Sequence, residues 1–179
     1  MAIRPIFETP DPVLRQISKP VQRFDDDLGA LVADMFETMY HAPGIGLAAV
    51  QVGVPIRLLV MDLQEPEEED GEPVKDPQVF INPEILWASE ITVPYTEGCL
   101  SVPDQYAEVL RPDRIRAKWQ DQQGEVHEAE LDGLIAICLQ HEMDHLEGIL
   151  FIDHLSRLKR DMVLKKLAKL RKERALHAA

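Results

Sequence analysis

The segment LDGLIAICLQHEMDHLEG, residues 131–148, constrains the fold more than any other stretch of this chain. An apolar run from Leu134 to Leu139 leads straight into two histidines and two acids. Charged groups beside apolar surface are costly unless something pairs with them. The spacing predicts a buried helix over 132–146, with Asp132 placed to cap its start and Gly148 to close its end. Helical residues four apart share a face with their Cβ atoms about 5–6 Å apart. His141 and His145 can therefore offer two imidazole nitrogens to one ion, at about 2.1 Å each. Glu142 is turned about 100° away around the axis. It cannot share that face, but it can lean over a water held there, so H-E-x-x-H separates two ligands from one base. The alternative is a pair of helix histidines without metal, one of them paired with Asp144. Asp144 itself could orient a histidine or face water.

Two histidines need a third ligand to make a firm site. His41, His127, His154 and His177 stand in settings that read as surface or core. Cys138, inside the apolar run, reads as a small buried apolar residue. Cys99 lies in YTEGCLSVPD, a glycine-flanked turn between strand-like runs, where a thiol can be aimed at a neighbouring element. Taken alone, that cysteine could equally be a ligand or a packed apolar group.

The rest of the chain supplies the frame. FDDDLGALVADMFETMYHAPGIG predicts an N-terminal helix with Asp25–Asp27 at its positive end and Pro43-Gly44 as its stop. VPIRLLVMDL (54–63) reads as a buried strand. An acidic Pro/Gly loop over 64–78 is expected to be exposed and mobile. VFINPEIL, EITVPY and IRAKWQDQQGEVHEAEL predict short strands with turns at Asn82-Pro83 and Gln123-Gly124. A last helix, about 156–175, should open at Ser156 and carry Leu158, Met162, Val163, Leu167 and Leu170 on one stripe. The expectation is one α+β domain over 1–179. Antiparallel or mixed short strands would pack around a central histidine helix, flanked by N- and C-terminal helices.

Charge and cysteine use narrow the setting. The net charge is −13, yet the stretch from Ser156 onward holds nine Lys or Arg against Asp161 and Glu173. That tail is +7 and the remaining body, with ten basic and 30 acidic residues, is −20. Such a body repels DNA, whereas the tail is either a solvated helix face or a local polyanion contact. Two cysteines do not make a disulfide framework, and no membrane span or secretory leader is evident. A cytoplasmic home is expected.

Three segments in order, GIGLAAVQ (44–51), EGCLS (97–101) and QHEMDH (140–145), resemble the three motifs of the peptide deformylase family without substitution. TPDPVLR, INPEI and GILFIDHLSRL extend the likeness over essentially the whole chain. The resemblance implies removal of the formyl group from the N-terminal formyl-methionine of nascent peptides. It implies Cys99, His141 and His145 as ligands of one divalent metal, Fe(II) natively, with Zn(II), Ni(II) or Co(II) also suited to a Cys/His₂ set. Glu142 would be the general acid/base, and Gln51 with the backbone N–H of Leu100 would hold the oxyanion. Ile45, Gly46 and Gly98 would bind substrate, Gly46 mainly through its backbone. Leu134 and Cys138 could contribute to a methionine pocket beside the histidine helix. In the family Glu97 pairs with a downstream arginine, here Arg111, to brace the cysteine loop. Tyr106 stands where many relatives have arginine, so the resemblance does not fix the contacts at the outer cleft, although it leaves the chemistry intact. The basic C-terminal helix would dock on the ribosome; a monomer is expected, with no membrane or DNA partner. Two other readings weigh against this one: a zinc-stabilised binding module, which wants four closed ligands, and an aminopeptidase or endopeptidase. Truncation after Leu158 is expected to weaken ribosome binding and spare hydrolysis of short peptides.

Overall fold

The computed structural model describes residues 1–66 and 71–178. Its elements run α1 (Asp26–His41), β1 (Gly46–Ala48), β2 (Leu58–Met61), β3 (Gln78–Ala88), β4 (Thr92–Cys99) and β5 (Val102–Pro112). Then follow β6 (Arg114–Gln120), β7 (Val126–Asp132), α2 (Gly133–Leu146) and α3 (Arg157–His177). The α+β reading holds. Five strands form one sheet in the order β1-β2-β3-β6-β7, and β4 and β5 form a separate hairpin, all paired antiparallel.

The uninterrupted apolar run of β2 has a direct cause. Successive strand side chains point to opposite faces, and both faces of β2 are covered. Leu59 and Met61 pack with Ala136, Leu139 and Met143 of α2 on one side. Leu58 and Val60 pack with Leu31, Met35 and Met39 of α1 on the other. The histidine helix is thus buried because it is one of two helices sandwiching the sheet. A third cluster joins Val102 and Val109 of the hairpin to Leu150, Phe151 and Ile152 and to Val163 and Leu167 of α3.

Helix ends follow their local chemistry where the side chains are free to cap. The Asp25 carboxylate accepts from Leu28 N at 3.1 Å, and the Ser156 hydroxyl accepts from Lys159 N at 3.4 Å. Three expectations need correction. Asp132 sits at the cap position of α2 but makes no capping bond; it ends β7, and Gly133 at φ +61° turns the chain from strand to helix. Asn82-Pro83 is not a turn but a bulge inside β3, where the register shifts between Ile81 and Glu84. Asparagine tolerates the left-handed φ of +50° found there, and proline, which cannot donate to a ladder, is accommodated at bulges. The stripe on α3 is narrower than its spacing suggests: Val163 and Leu167 are buried, whereas Leu158 and Met162 are exposed. Of the acidic loop, residues 67–70 lie outside the described residues; 71–77 are exposed, with Lys75 and Asp76 tied to the body.

Candidate metal centre and cleft

β4 carries Cys99 to its end, immediately before the two-residue turn Leu100-Ser101 that begins β5. α2 lies across from this turn and presents His141 and His145 on one face, with ring centroids 5.1 Å apart. Cys99 Sγ stands 3.3 Å from His145 Nε2, and one donor atom from each of the three residues falls within 4.8 Å of the others. For a tetrahedral ion with bonds of about 2.1 Å to nitrogen and 2.3 Å to sulfur, donor separations should be about 3.4–3.6 Å. The cluster fits such an ion with small adjustments of side chain. The donor set of one thiol and two imidazoles suits a divalent transition metal.

The carboxylate of Glu97 positions the first histidine. Its Oε2 lies 2.7 Å from His141 Nδ1, which leaves Nε2 for the cluster. Glu97 is itself gripped by both prongs of Arg111, at 2.6 and 3.0 Å, and both side chains are about 5% exposed or less. Burial alone would raise the Glu97 carboxyl, but His141 and Arg111 outweigh it and hold its pKa at about 2. Asp144 accepts from Arg111 Nη1 at 2.7 Å and lies 2.8 Å from His154 Nε2. It therefore braces the arginine and orients neither ligand histidine. Burial and the positive groups nearby push His145 well below the ordinary histidine range, into the neutral form that ligation needs. Its Nδ1 is buried without a hydrogen-bond partner among the described residues.

Glu142, one residue past His141, is buried, and its Oε2 makes no hydrogen bond among the described residues. Burial pushes its pKa up to about 7, in the range that suits a group exchanging protons near neutrality. Space for it is made by Gly46: a Cβ there would stand 2.5 Å from Glu142 Oε1. Only glycine lets the edge strand β1 approach the acid this closely.

Gln51 is held for donation toward the cluster. Its Oε1 accepts from Ala48 N at 2.8 Å, so its Nε2 points at Ser101 Oγ, 3.0 Å away, and at Cys99 Sγ, 3.6 Å away. Ser101 is fully buried. It sits in the EGCLS motif, but nothing in the sequence distinguished it from a turn serine.

These groups open onto a cavity of about 540 Å³. Ile45, Gly46, Gly98, Cys99, Leu100, Glu142, Leu134 and Cys138 all border it, as does Ile137, which sequence reasoning did not single out although it lies one helical turn before His141. His145 is behind the wall, and Arg111 does not border the cavity. Tyr106, 72% exposed at the rim, lays its ring across Gly98, where a Cβ would meet the ring at 2.5 Å. β1 is an edge strand of the five-stranded sheet and lines this cavity through Gly46.

A family model described as polypeptide deformylase matches residues 3–161. A peptide deformylase of Rhizorhabdus wittichii is 68% identical over 174 residues, covering 97% of this chain and 98% of the relative. One of Brucella suis is 57% identical over 175 residues, covering 98% and 97%. Among solved structures, a peptide deformylase from Legionella pneumophila matches with a TM-score of 0.88 at 45% identity, covering 97% of this chain and 98% of that one. The Ehrlichia chaffeensis enzyme in complex with actinonin matches with a TM-score of 0.87 at 44% identity, covering 94% and 98%. The family match ends at Asp161, five residues into α3.

Proposed function

The chain belongs to the polypeptide deformylase family and is thus a metal-dependent hydrolase removing the N-formyl group of new peptides; from that premise we propose the role of each site residue. Cys99, His141 and His145 hold one divalent ion. When bound, that ion supplies Lewis acidity toward the formyl oxygen and lowers the pKa of an adjacent water. Everything else is the work of the protein's own groups.

Glu142 accepts a proton from the water that attacks the formyl carbon. The carbonyl oxygen becomes an oxyanion as the bond forms, and Gln51 Nε2 and the Leu100 backbone N–H donate to it. Glu142 then passes its proton to the departing amine nitrogen as the C–N bond breaks. Formate and a free methionine amine result. The peptide backbone lies beside β1, exchanging main-chain hydrogen bonds near Ile45 and Gly46, with Gly98 forming the opposite wall. The methionine side chain points toward Leu134, Ile137 and Cys138. Glu97 and Arg111 act through His141, keeping its ring turned to the ion. The observation that carries this reading is the buried Glu142 carboxylate, one oxygen of which has no hydrogen-bond partner among the described residues, beside a Cys/His₂ cluster.

The test follows formate release from formyl-Met-Ala-Ser beside cleavage of Met-Ala-Ser. Wild type should release formate. Glu142→Ala should lose about 10²–10⁴-fold in rate while retaining its metal. Metal retained with undiminished formate release, or cleavage of the unformylated peptide, would overturn the assignment.

The native ion is proposed to be Fe(II). The support is the thiolate and imidazole donor set together with family membership, although Zn(II), Ni(II) and Co(II) suit the same donors. Anaerobic purification should give iron on metal analysis and an activity destroyed by peroxide; peroxide-resistant activity would exclude it. No described helix is long and apolar enough to cross a membrane. The enzyme is proposed to act in the cytoplasm as a monomeric, single catalytic domain, with α3 docking on the ribosome. The support for docking is the nine basic residues in 24 at that end of the chain.

A further inference from the structure

Outside the metal cluster, one buried acid has no part in the chemistry above. Asp62 follows β2 and is 1% exposed. Its Oδ1 accepts from Gln64 N at 3.0 Å and Asp76 N at 3.1 Å, and its Oδ2 accepts from the Tyr40 hydroxyl at 2.5 Å. The Asp62 N–H donates to the Ile45 carbonyl at 2.9 Å. Tyr40 belongs to the last turn of α1, and Lys75 places its ammonium 4.2 Å above the tyrosine ring.

These contacts converge on one wall of the substrate cavity. Residues 42–46 leave the end of α1, line the cavity and enter β1. The wall is fixed at Gly44 by a bond to Met39 O and at Gly46 by pairing with Met61. Between these, Ile45 depends on the Asp62 N–H. Asp62 thus grips the wall itself through its backbone and the helix that feeds the wall through its carboxylate. We infer that Asp62 and Tyr40 are positioning residues that preset the 42–46 edge for an incoming formyl-peptide.

The physical reason is preorganisation. A wall that is loose when empty must be ordered as substrate binds, and that ordering is subtracted from affinity. The bond is part-buried and involves a carboxylate, which makes it one of the stronger kinds. Removing the hydroxyl leaves part of that carboxylate unpaired and frees the last turn of α1. The chemistry at Cys99, His141 and Glu142 is left in place. The cost therefore falls on KM, and it grows with the length of peptide laid along the wall.

This inference rests on the proposed binding of substrate beside β1. Its test compares wild type, Tyr40→Phe, Asp62→Asn and Asp62→Ala on formyl-Met-Ala and formyl-Met-Ala-Ser, with metal content and Tm measured on each. Tyr40→Phe should raise KM for the longer peptide by about tenfold, with kcat within about threefold, as expected where ground state and transition state lose binding equally. The rise should be smaller on the shorter peptide. Asp62→Ala should exceed this effect, and Asp62→Asn, which keeps one acceptor oxygen for the two backbone N–H groups, should recover part of it. A lowered Tm with KM within twofold of wild type in Tyr40→Phe would overturn the inference. A loss in kcat at unchanged KM would do the same. Absence of formate from wild type on both peptides would instead condemn the functional reading itself.

Discussion

At the residue scale, Glu142 shows how one position is made reactive by its surroundings. H-E-x-x-H named the residue; burial against β1 sets its proton affinity, with a pKa of about 7 in the absence of an ion. In its proposed role as general base it must be ionised, so rate should be lost as pH falls through its pKa. A bound cation nearby favours the ionised form, which moves that limb downward. The expected profile of kcat/KM therefore has an acid limb at or below about pH 7, absent from the residual activity of Glu142→Ala. A limb above that value, or one shared by the variant, would assign the titration elsewhere. Spacing made His141, His145 and Glu142 legible, because a helix converts sequence intervals directly into faces. Cys99 had two equal readings from its own surroundings, and Gln51 was legible only through the family resemblance. Nothing local to either residue reveals that Ala48, Ser101 and Cys99 surround one amide. Ser101 and Asp62 escaped for the same reason: their meaning lies in partners distant along the chain.

At the element scale, the buried strand and both flanking helices could be read from periodicity, since β2 needs apolar residues on both faces and α1 on one. The Asn82-Pro83 bulge could not. A proline after asparagine is a turn signal in isolation, and only pairing on both sides of β3 converts it into a kink in a continuing strand. α3 is a case of pattern overstating packing. Val163 and Leu167 are what it buries, and Arg171 and Arg174 reach back to Thr9 O and Glu8. Truncation after Leu158 would strip these two side chains from the third core cluster, so ribosome docking is better tested on the intact helix. Replacing the exposed Lys165, Lys166, Lys169 and Lys172 with glutamine should leave Tm near wild type. It should also flatten the salt dependence of ribosome association, by a log–log slope of about 0.7–0.9 for each phosphate no longer neutralised. An unchanged slope would remove α3 from the interface.

At the scale of the whole molecule, the cluster joins parts that secondary structure keeps apart. Cys99 comes from the two-stranded hairpin and both histidines from the helix packed on the five-stranded sheet, with the thiol and His145 46 positions apart along the chain. An ion bound by the native chain and not the unfolded one stabilises by mass action, about 2.7 kcal/mol at a hundredfold excess over Kd. For a chain of this length each kcal/mol is worth about 2–4 °C. Removal of the metal by a chelator should therefore lower Tm by about 5–11 °C at such an excess, and re-addition should restore it. A Tm indifferent to chelation would show that the hairpin and helix are held together without help from the site.

Such a bridge carries a consequence for the life of the molecule in the cell. If oxidation expels the ion, the copy that can no longer turn over is also the copy that has lost the ion's share of its stability, and so opens more often. Proteases cut chains in their opened moments, so spent molecules would be culled ahead of working ones with no separate sensor.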